Sequence, residues 1–136
     1  MSLTAFFKEN VKNPFEEVEF VVSERFQEGG KPIPWKLRAM SPDKGLAGTD
    51  KALVVSADGK SDFKISAYYK SVVIGSVVYP NLYDKELQDS YGVLSPEALL
   101  DAMLSSKEFN QLLKKCQEIN GLDKSFEEKK EVVKNS

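Results

Sequence analysis

Between Tyr79 and Leu104 the chain reads YPNLYDKELQDSYGVLSPEALLDAML, and its polar residues are of types that do chemistry. Asp84, Glu86 and Asp89 are the densest carboxylate group, and two carboxylates can divide general acid and base work when a pocket drives their pKa values apart. Ser90 and Tyr91 add a hydroxyl and a phenol, and Lys85 adds a base. Helical spacing argues against their assembly. Asp84 and Glu86 do not share a face, and Lys85 lies five residues from Ser90 on another side. The carboxylates therefore read as a helix N-cap followed by a solvated face. Tyr91 reads as a core aromatic one turn after Leu87.

The rest of the chain offers this stretch little catalytic help. Its 136 residues include no histidine, which removes the commonest general acid/base, the Ser-His pair and the commonest zinc ligand. A single cysteine, Cys116, allows neither an internal disulfide nor a thiolate metal site within one chain, and it suits a reducing cytoplasm. The glycines at 29, 30, 45, 48 and 59 match no phosphate-binding fingerprint. No cofactor or metal is expected, and the chain is read as non-enzymatic.

Nineteen basic residues against 21 acidic give a net charge of −2, with no general pull on nucleic acid or an anionic membrane. Trp35 beside Lys36 and Arg38 could imitate an aromatic-basic platform, but Trp35 falls on the apolar face of its strand and reads as core. No apolar run approaches the roughly 18 residues of a membrane helix, and the N-terminus lacks the basic and apolar regions of a signal peptide. A protein partner is favoured over a polyanion.

The elements that position these residues can be read in order. Ser2 can cap a short helix over LTAFFKENV, with Leu3, Phe6 and Phe7 on one face and Pro14 beyond its end. It either packs on the core or detaches and docks on a neighbouring subunit. EEVEFVVSERF and PIPWKLRAM alternate with period two around QEGGK and predict a β-hairpin. The stretch SPDKGLAGTDKALVVSADGKSD reads as a long loop, with KALVV a candidate strand and Asp58-Gly59 a turn. From Asp62 to Tyr79 helical spacing competes with β-branched content, and length decides for a buried helix ended by Pro80.

The C-terminal third carries the clearest punctuation. Asp84 caps a helix that Gly92 ends. Ser95 and Pro96 start the next, with Glu97 in its first turn. Ser105 to Glu108 is a capping box. Phe109, Leu112, Leu113, Cys116 and Ile119 then repeat at helical spacing until Gly121, after which Leu122 can fold back. Cys116 falls on the apolar stripe and reads as inert. Strands first and helices after predict an α+β fold: an N-terminal β-hairpin or small antiparallel sheet, then a C-terminal bundle of about four helices. Residues 1–123 form the single domain, and 124–136 form a charged tail that is either frayed or a short helix through Glu127–Lys130 and Glu131–Lys134.

The helix EALLDAML presents Ala98, Leu99, Ala102 and Met103, with Leu100 and Leu104 around the side. That is more apolar surface than one core contact needs. It marks either an interface or a central core helix.

The stretch VVYPNLYDKELQDSYGVLSPEALLDAMLSSKEFNQLLKKCQEINGLD resembles the XkdN-like tail assembly chaperones of Gram-positive phages and prophages. The matching pieces are VVYPNL, ELQDSYGV, EALLDAML, EFNQLL and QEINGLD, in that order and spacing. Upstream, LTAFFKENV, EEVEFVVSERF and PIPWKLRAM also look like the family's N-terminal helix and hairpin. The resemblance covers about 120 residues. Members usually carry a charged helix in the middle; the glycines of DKGLAGTDKALVVSADGK argue against one here.

The resemblance implies a non-enzymatic chaperone in the cytoplasm of the bacterial host. Its client would be the tape measure protein, kept soluble while tail tube (major tail) subunits polymerise around it, and the chaperone would be absent from the finished virion. A longer, frameshifted product would recruit the tube protein. The other reading is a structural tail protein or oligomerisation module that stays in the particle, and a homo-oligomer fits either. Under the chaperone reading Leu99, Leu100, Met103, Leu104, Phe109 and Leu112 are the candidate client or self-association surface. Pro80, Asp84, Leu87, Tyr91, Gly92, Ser95 and Gly121 build the helical corner that carries it.

Overall fold

The computed structural model describes residues 2–123. The C-terminal tail and its expected ion pairs lie outside the described residues. A three-stranded antiparallel sheet, β1 (Val18–Phe20), β4 (Trp35–Leu37) and β7 (Val77–Tyr79), has β4 at its centre. The expected hairpin is present as the β1–β4 pair, with Val18 opposite Leu37 and Phe20 opposite Trp35. Alternation sets the faces: Trp35 and Leu37 are buried, while Lys36 between them is exposed. The connection is itself a smaller hairpin, β2 (Gln27–Glu28) with β3 (Lys31–Pro32). Gly29 and Gly30 both take positive φ, as a two-residue hairpin turn requires.

The N-terminal segment differs from its predicted form. It makes two short 3-10 turns, Leu3–Phe6 and Lys8–Asn10, and buries none of its side chains. Ser2 does cap the first turn, accepting from the Thr4 amide. So few residues cannot hold an α-helix in water without a packed face.

The predicted loop after Arg38 is mostly ordered structure. Ser41 caps helix α1 (Pro42–Ala52), its hydroxyl accepting from the Lys44 amide. Pro42 takes the first turn, where a missing N–H costs nothing. The glycines that argued against this helix do not break it. Gly48 is a packing residue: a Cβ there would stand 3.0 Å from the Ser71 Cβ on helix α2 (Ile65–Ser76). Of the predicted KALVV strand only Leu53–Val55 is strand (β5), since Lys51 and Ala52 close α1; its partner is β6 (Ser61–Phe63), paired Leu53 to Phe63. Gly59, at φ +84°, turns the chain, and Asp58 accepts from the Ser56 hydroxyl and the Lys60 amide.

The long helix expected from Asp62 to Tyr79 is shorter. Only Ile65–Ser76 is helical, and its two flanks are strands β6 and β7. Val77 and Val78 are β-branched, and the β4 edge offers them a ladder, which outweighs continued helical spacing. The Ser76 carbonyl accepts from the Arg38 amide at 2.8 Å, so pairing begins at the helix end.

Helices α3 (Lys85–Ser90), α4 (Pro96–Met103) and α5 (Ser106–Ile119) complete an α+β fold, strands early and helices late. Each starts on its predicted cap: Asp84 accepts from Leu87, Ser95 from Ala98, and Ser105 from Glu108 with the reciprocal Glu108 bond present. Helices α3 and α5 end alike. Gly92 and Gly121 take positive φ, and the next amides reach back, Val93 to Gln88 and Leu122 to Gln117. One core joins the sheet to the helices through Trp35, Leu37, Val73, Leu99, Leu100 and Leu112.

Candidate functional site

The polar stretch that suggested chemistry is used for folding. Asp84 Oδ1 accepts the Leu87 amide at 2.9 Å, which fixes it as a cap. Glu86, Asp89 and Lys85 are exposed on α3. The Ser90 hydroxyl donates to the Leu87 carbonyl at 2.7 Å, a bond to its own helix. Tyr91 is not the core aromatic expected; it is 39% exposed at the helix end. Cys116 is fully buried, and burial pushes its thiol up to about 12, so it carries no reactive thiolate.

The apolar residues expected to form an interaction surface are interior. Leu99 and Leu112 are 0% exposed, Leu100 1%, Met103 6% and Leu104 8%, and Phe109 is partly buried against the same cluster. The broad apolar circumference of α4 has a plain physical cause. This helix is enclosed by the sheet and by its neighbouring helices, so several of its faces are core.

Exposed apolar side chains lie elsewhere. One group is the N-terminal arm, with Leu3, Phe6, Phe7, Val11 and Phe15. Another is the β5–β6 hairpin with Leu53, Val54, Val55 and Phe63. A third pair, Leu46 and Leu122, stands at a groove of about 410 Å³ between α1, α2 and the end of α5, whose other apolar walls are the half-buried Met40 and Tyr68 and the buried Val72.

The groove is built by local signals. The Ser41 cap and Pro42 aim α1, and Gly48 lets it approach α2 at Ser71. Leu46 then stands on one lip, 65% exposed. Positive φ at Gly121 turns the chain so that Leu122 forms the other lip. Asn120 secures that end. Its Oδ1 accepts the Met40 amide at 2.8 Å, and its Nδ2 donates to Ser76 Oγ at 2.9 Å and to the Cys116 carbonyl at 2.8 Å. Sequence reading had no signal for Asn120 beyond its place before Gly121. Leu46 was missed because the helix carrying it was read as a loop; Tyr68 lies on a helix that was expected, but the α1 wall opposite it was not.

Electrostatics hold the frame around the groove. Lys51 on α1 pairs with Glu97 on α4 at 2.7 Å, and Lys70 on α2 pairs with Asp101 on α4 at 2.7 Å. The Lys51 hydrogen bond draws the Glu97 carboxyl below its usual range. Across the molecule, Arg25 grips Glu108 through two bonds, at 2.7 and 3.0 Å, and donates to the Met103 carbonyl at 2.8 Å. These contacts hold the first hairpin to the α4–α5 corner. The groove is mainly apolar, with the single cation Lys44 among its lining residues.

Comparison with known proteins places this architecture. The crystal structure of the protein YqbN superposes with a TM-score of 0.76 at 25% identity, over 89% of this chain and 97% of that one. In sequence the chain is 29% identical over 126 residues to "Uncharacterized protein YqbN" of Bacillus subtilis (strain 168), covering 88% of this chain and 85% of the relative. It is 27% identical over 126 residues to the same organism's "Phage-like element PBSX protein XkdN", with the same coverage. The family model for the phage XkdN-like tail assembly chaperone protein matches residues 3–134. Nearly the whole chain is matched, and it belongs to the XkdN-like family of phage tail assembly chaperones.

Proposed function

We propose that this chain binds a tape measure protein in the host cytoplasm and keeps it soluble while tail tube subunits polymerise around it. The chaperone leaves before the particle is complete. Family membership supports the assembly role, and the observation that carries the client reading is the apolar groove beside α1. Its floor is apolar, Leu46 and Leu122 stand partly exposed on its lips, and Lys44 sits on its rim. Such a groove fits an amphipathic helix with acidic residues flanking its apolar face. The client side chains therefore dock on Leu46, Tyr68 and Leu122 rather than on the buried Leu99–Leu112 set.

Many weak copies along one long client give avidity without strong individual sites, which lets the advancing tube displace them. A longer product of the same gene, made by frameshifting, links the chaperone to the tube protein. Mass spectrometry of purified particles tests the release. The proposal expects the chain to be absent from mature virions; stoichiometric retention would favour a structural tail protein instead.

A further inference from the structure

Strands β5 and β6 form a sheet of two strands, and all six of their residues are exposed. A hairpin of two strands is marginal in water by itself. This one is fixed at its base. The Lys64 amide donates to the Ala52 carbonyl at 2.8 Å, and the Phe63 ring centre lies 5.7 Å from that of Tyr68 on α2. Leu53, Val54, Val55 and Phe63 are thus held in water in a set arrangement.

The two outer edges of the hairpin differ. Strand β6 has Asp62 at its centre, with Lys60 and Lys64 on either side and Lys64 paired to Asp62 at 2.8 Å. A second β6 laid antiparallel about Asp62 would set two carboxylates opposite each other, which is unfavourable. Strand β5 reads Leu-Val-Val, with neither the charge nor the proline that commonly guards an edge. Among the described residues it pairs with β6 alone.

The ladder fixes which backbone groups that edge presents. Bonds from Ser56 to Lys60 and from Lys64 to Ala52 bracket the hairpin. By antiparallel alternation Val54 is then the hydrogen-bonded partner of Asp62. Val54 turns its N–H and C=O toward β6, and Leu53 and Val55 turn theirs outward. The Leu53 amide is already used, since it donates to the Thr49 and Asp50 carbonyls at the end of α1. The outer edge therefore offers the Leu53 carbonyl and both backbone groups of Val55.

These groups complement themselves. In an antiparallel copy centred on Val54, the Val55 amide of each chain faces the Leu53 carbonyl of the other. Leu53 lies beside Val55 of the second copy, and Val54 beside its own counterpart. Leu53, Val55 and Phe63 share one face of the hairpin, and that apolar face continues across the junction. No charge falls among the three paired residues.

We propose that β5 is a self-association edge, on which two copies of this chain pair antiparallel about Val54 into a four-stranded sheet ordered β6–β5–β5–β6. The contact is two-fold and closes on itself, so it gives pairs rather than filaments. Three residues of edge bury far less than the about 800 Å² per partner of a stable complex, so free chains pair weakly. Chains held side by side on one client pair more fully, because their effective concentration is high. That gain rests on the client reading; the pairing itself does not.

Disulfide trapping of the full chain without client tests the register. Opposed Val54 residues form a non-hydrogen-bonded pair with Cα atoms about 4.5 Å apart, within disulfide reach. Two Val55 residues would stand about 8 Å apart, beyond it. Val54 is 46% exposed and Val55 64%, while buried Cys116 stays unreactive in the folded protein. Under air oxidation Val54→Cys should form bridged dimer at least about tenfold faster than Val55→Cys, although Val55 is the more exposed. A second trap uses different positions. An equal mixture of Leu53→Cys and Val55→Cys proteins should bridge one to the other, and neither should bridge to itself. Equal rates for Val54→Cys and Val55→Cys, or a mixture that bridges no better than its parts, would overturn the pairing. Either result leaves the client reading to its own test.

Discussion

Asn120 Nδ2 donates to Ser76 Oγ at 2.9 Å, joining the end of α5 to the last residue of α2. Ser76 is the one buried polar side chain of the core among the described residues, and this bond satisfies it. The same Asn120 amide group holds Met40 at the entrance to α1. One side chain thus ties together the three segments that form the groove.

Asn120→Ala should therefore destabilise the fold by about 2–4 kcal/mol, since it removes three partly buried hydrogen bonds. Denaturant unfolding measures this. A loss under about 0.5 kcal/mol would mean that water replaces the amide freely.

Two glycines of α1 should respond in opposite directions. A Cβ at Gly45 meets nothing within 4 Å, so Gly45→Ala should stabilise by about 0.5–1 kcal/mol through helix propensity. At Gly48 a side chain drives into Ser71, and Gly48→Leu should cost about 1–3 kcal/mol. Thermal unfolding of the pair checks the contrast; equal shifts would deny Gly48 its packing role.

Leu100 tests the reassignment of α4. Being buried, Leu100→Ala should cost about 2–5 kcal/mol, as for a core leucine. Were Leu100 an interface residue, the variant would keep wild-type stability and lose only binding. Unfolding curves separate these outcomes.

The Arg25 clamp gives a pH dependence. The Arg25 hydrogen bond, with help from the Ser105 amide, holds the Glu108 carboxyl far below its usual range. A depressed folded-state pKa contributes stability that is full above the unfolded value, near 4.3, and is lost as pH falls below it. Stability of the wild type should decline below about pH 4, and Glu108→Gln should flatten that acid limb. An acid limb of unchanged slope in the variant would show that other carboxylates set it.

Local signals were the legible part of this fold. Asp84, Ser95, Ser105, Gly92 and Gly121 act within one helical turn, so their types and spacing were enough to place the ends of α3 and α5 and the starts of all three C-terminal helices. What escaped depends on distant partners. Val77–Tyr79 is a strand because β4, some forty residues earlier, offers an edge. Gly48 reads as a breaker until Ser71 is seen against it, although Ser41-Pro42 already carried a helix-start signature. The expected surface residues carried the same ambiguity, and in the single chain they are covered by core. A wide apolar stripe reports how much of a helix is covered, and Leu99, Leu100 and Leu112 do not reveal whether core or partner covers them.

If the groove beside α1 holds the client, a charge placed on its lip must release that client. The chain is co-expressed with its tape measure protein, either as wild type or with Leu46→Asp, and the soluble client that co-purifies is quantified. Leu46 is 65% exposed, so the substitution should leave the unfolding curve unchanged. The account predicts at least a tenfold fall in soluble, co-purifying client, about 1.4 kcal/mol per site and more across many copies. Wild-type recovery of the client by a folded Leu46→Asp protein would contradict it.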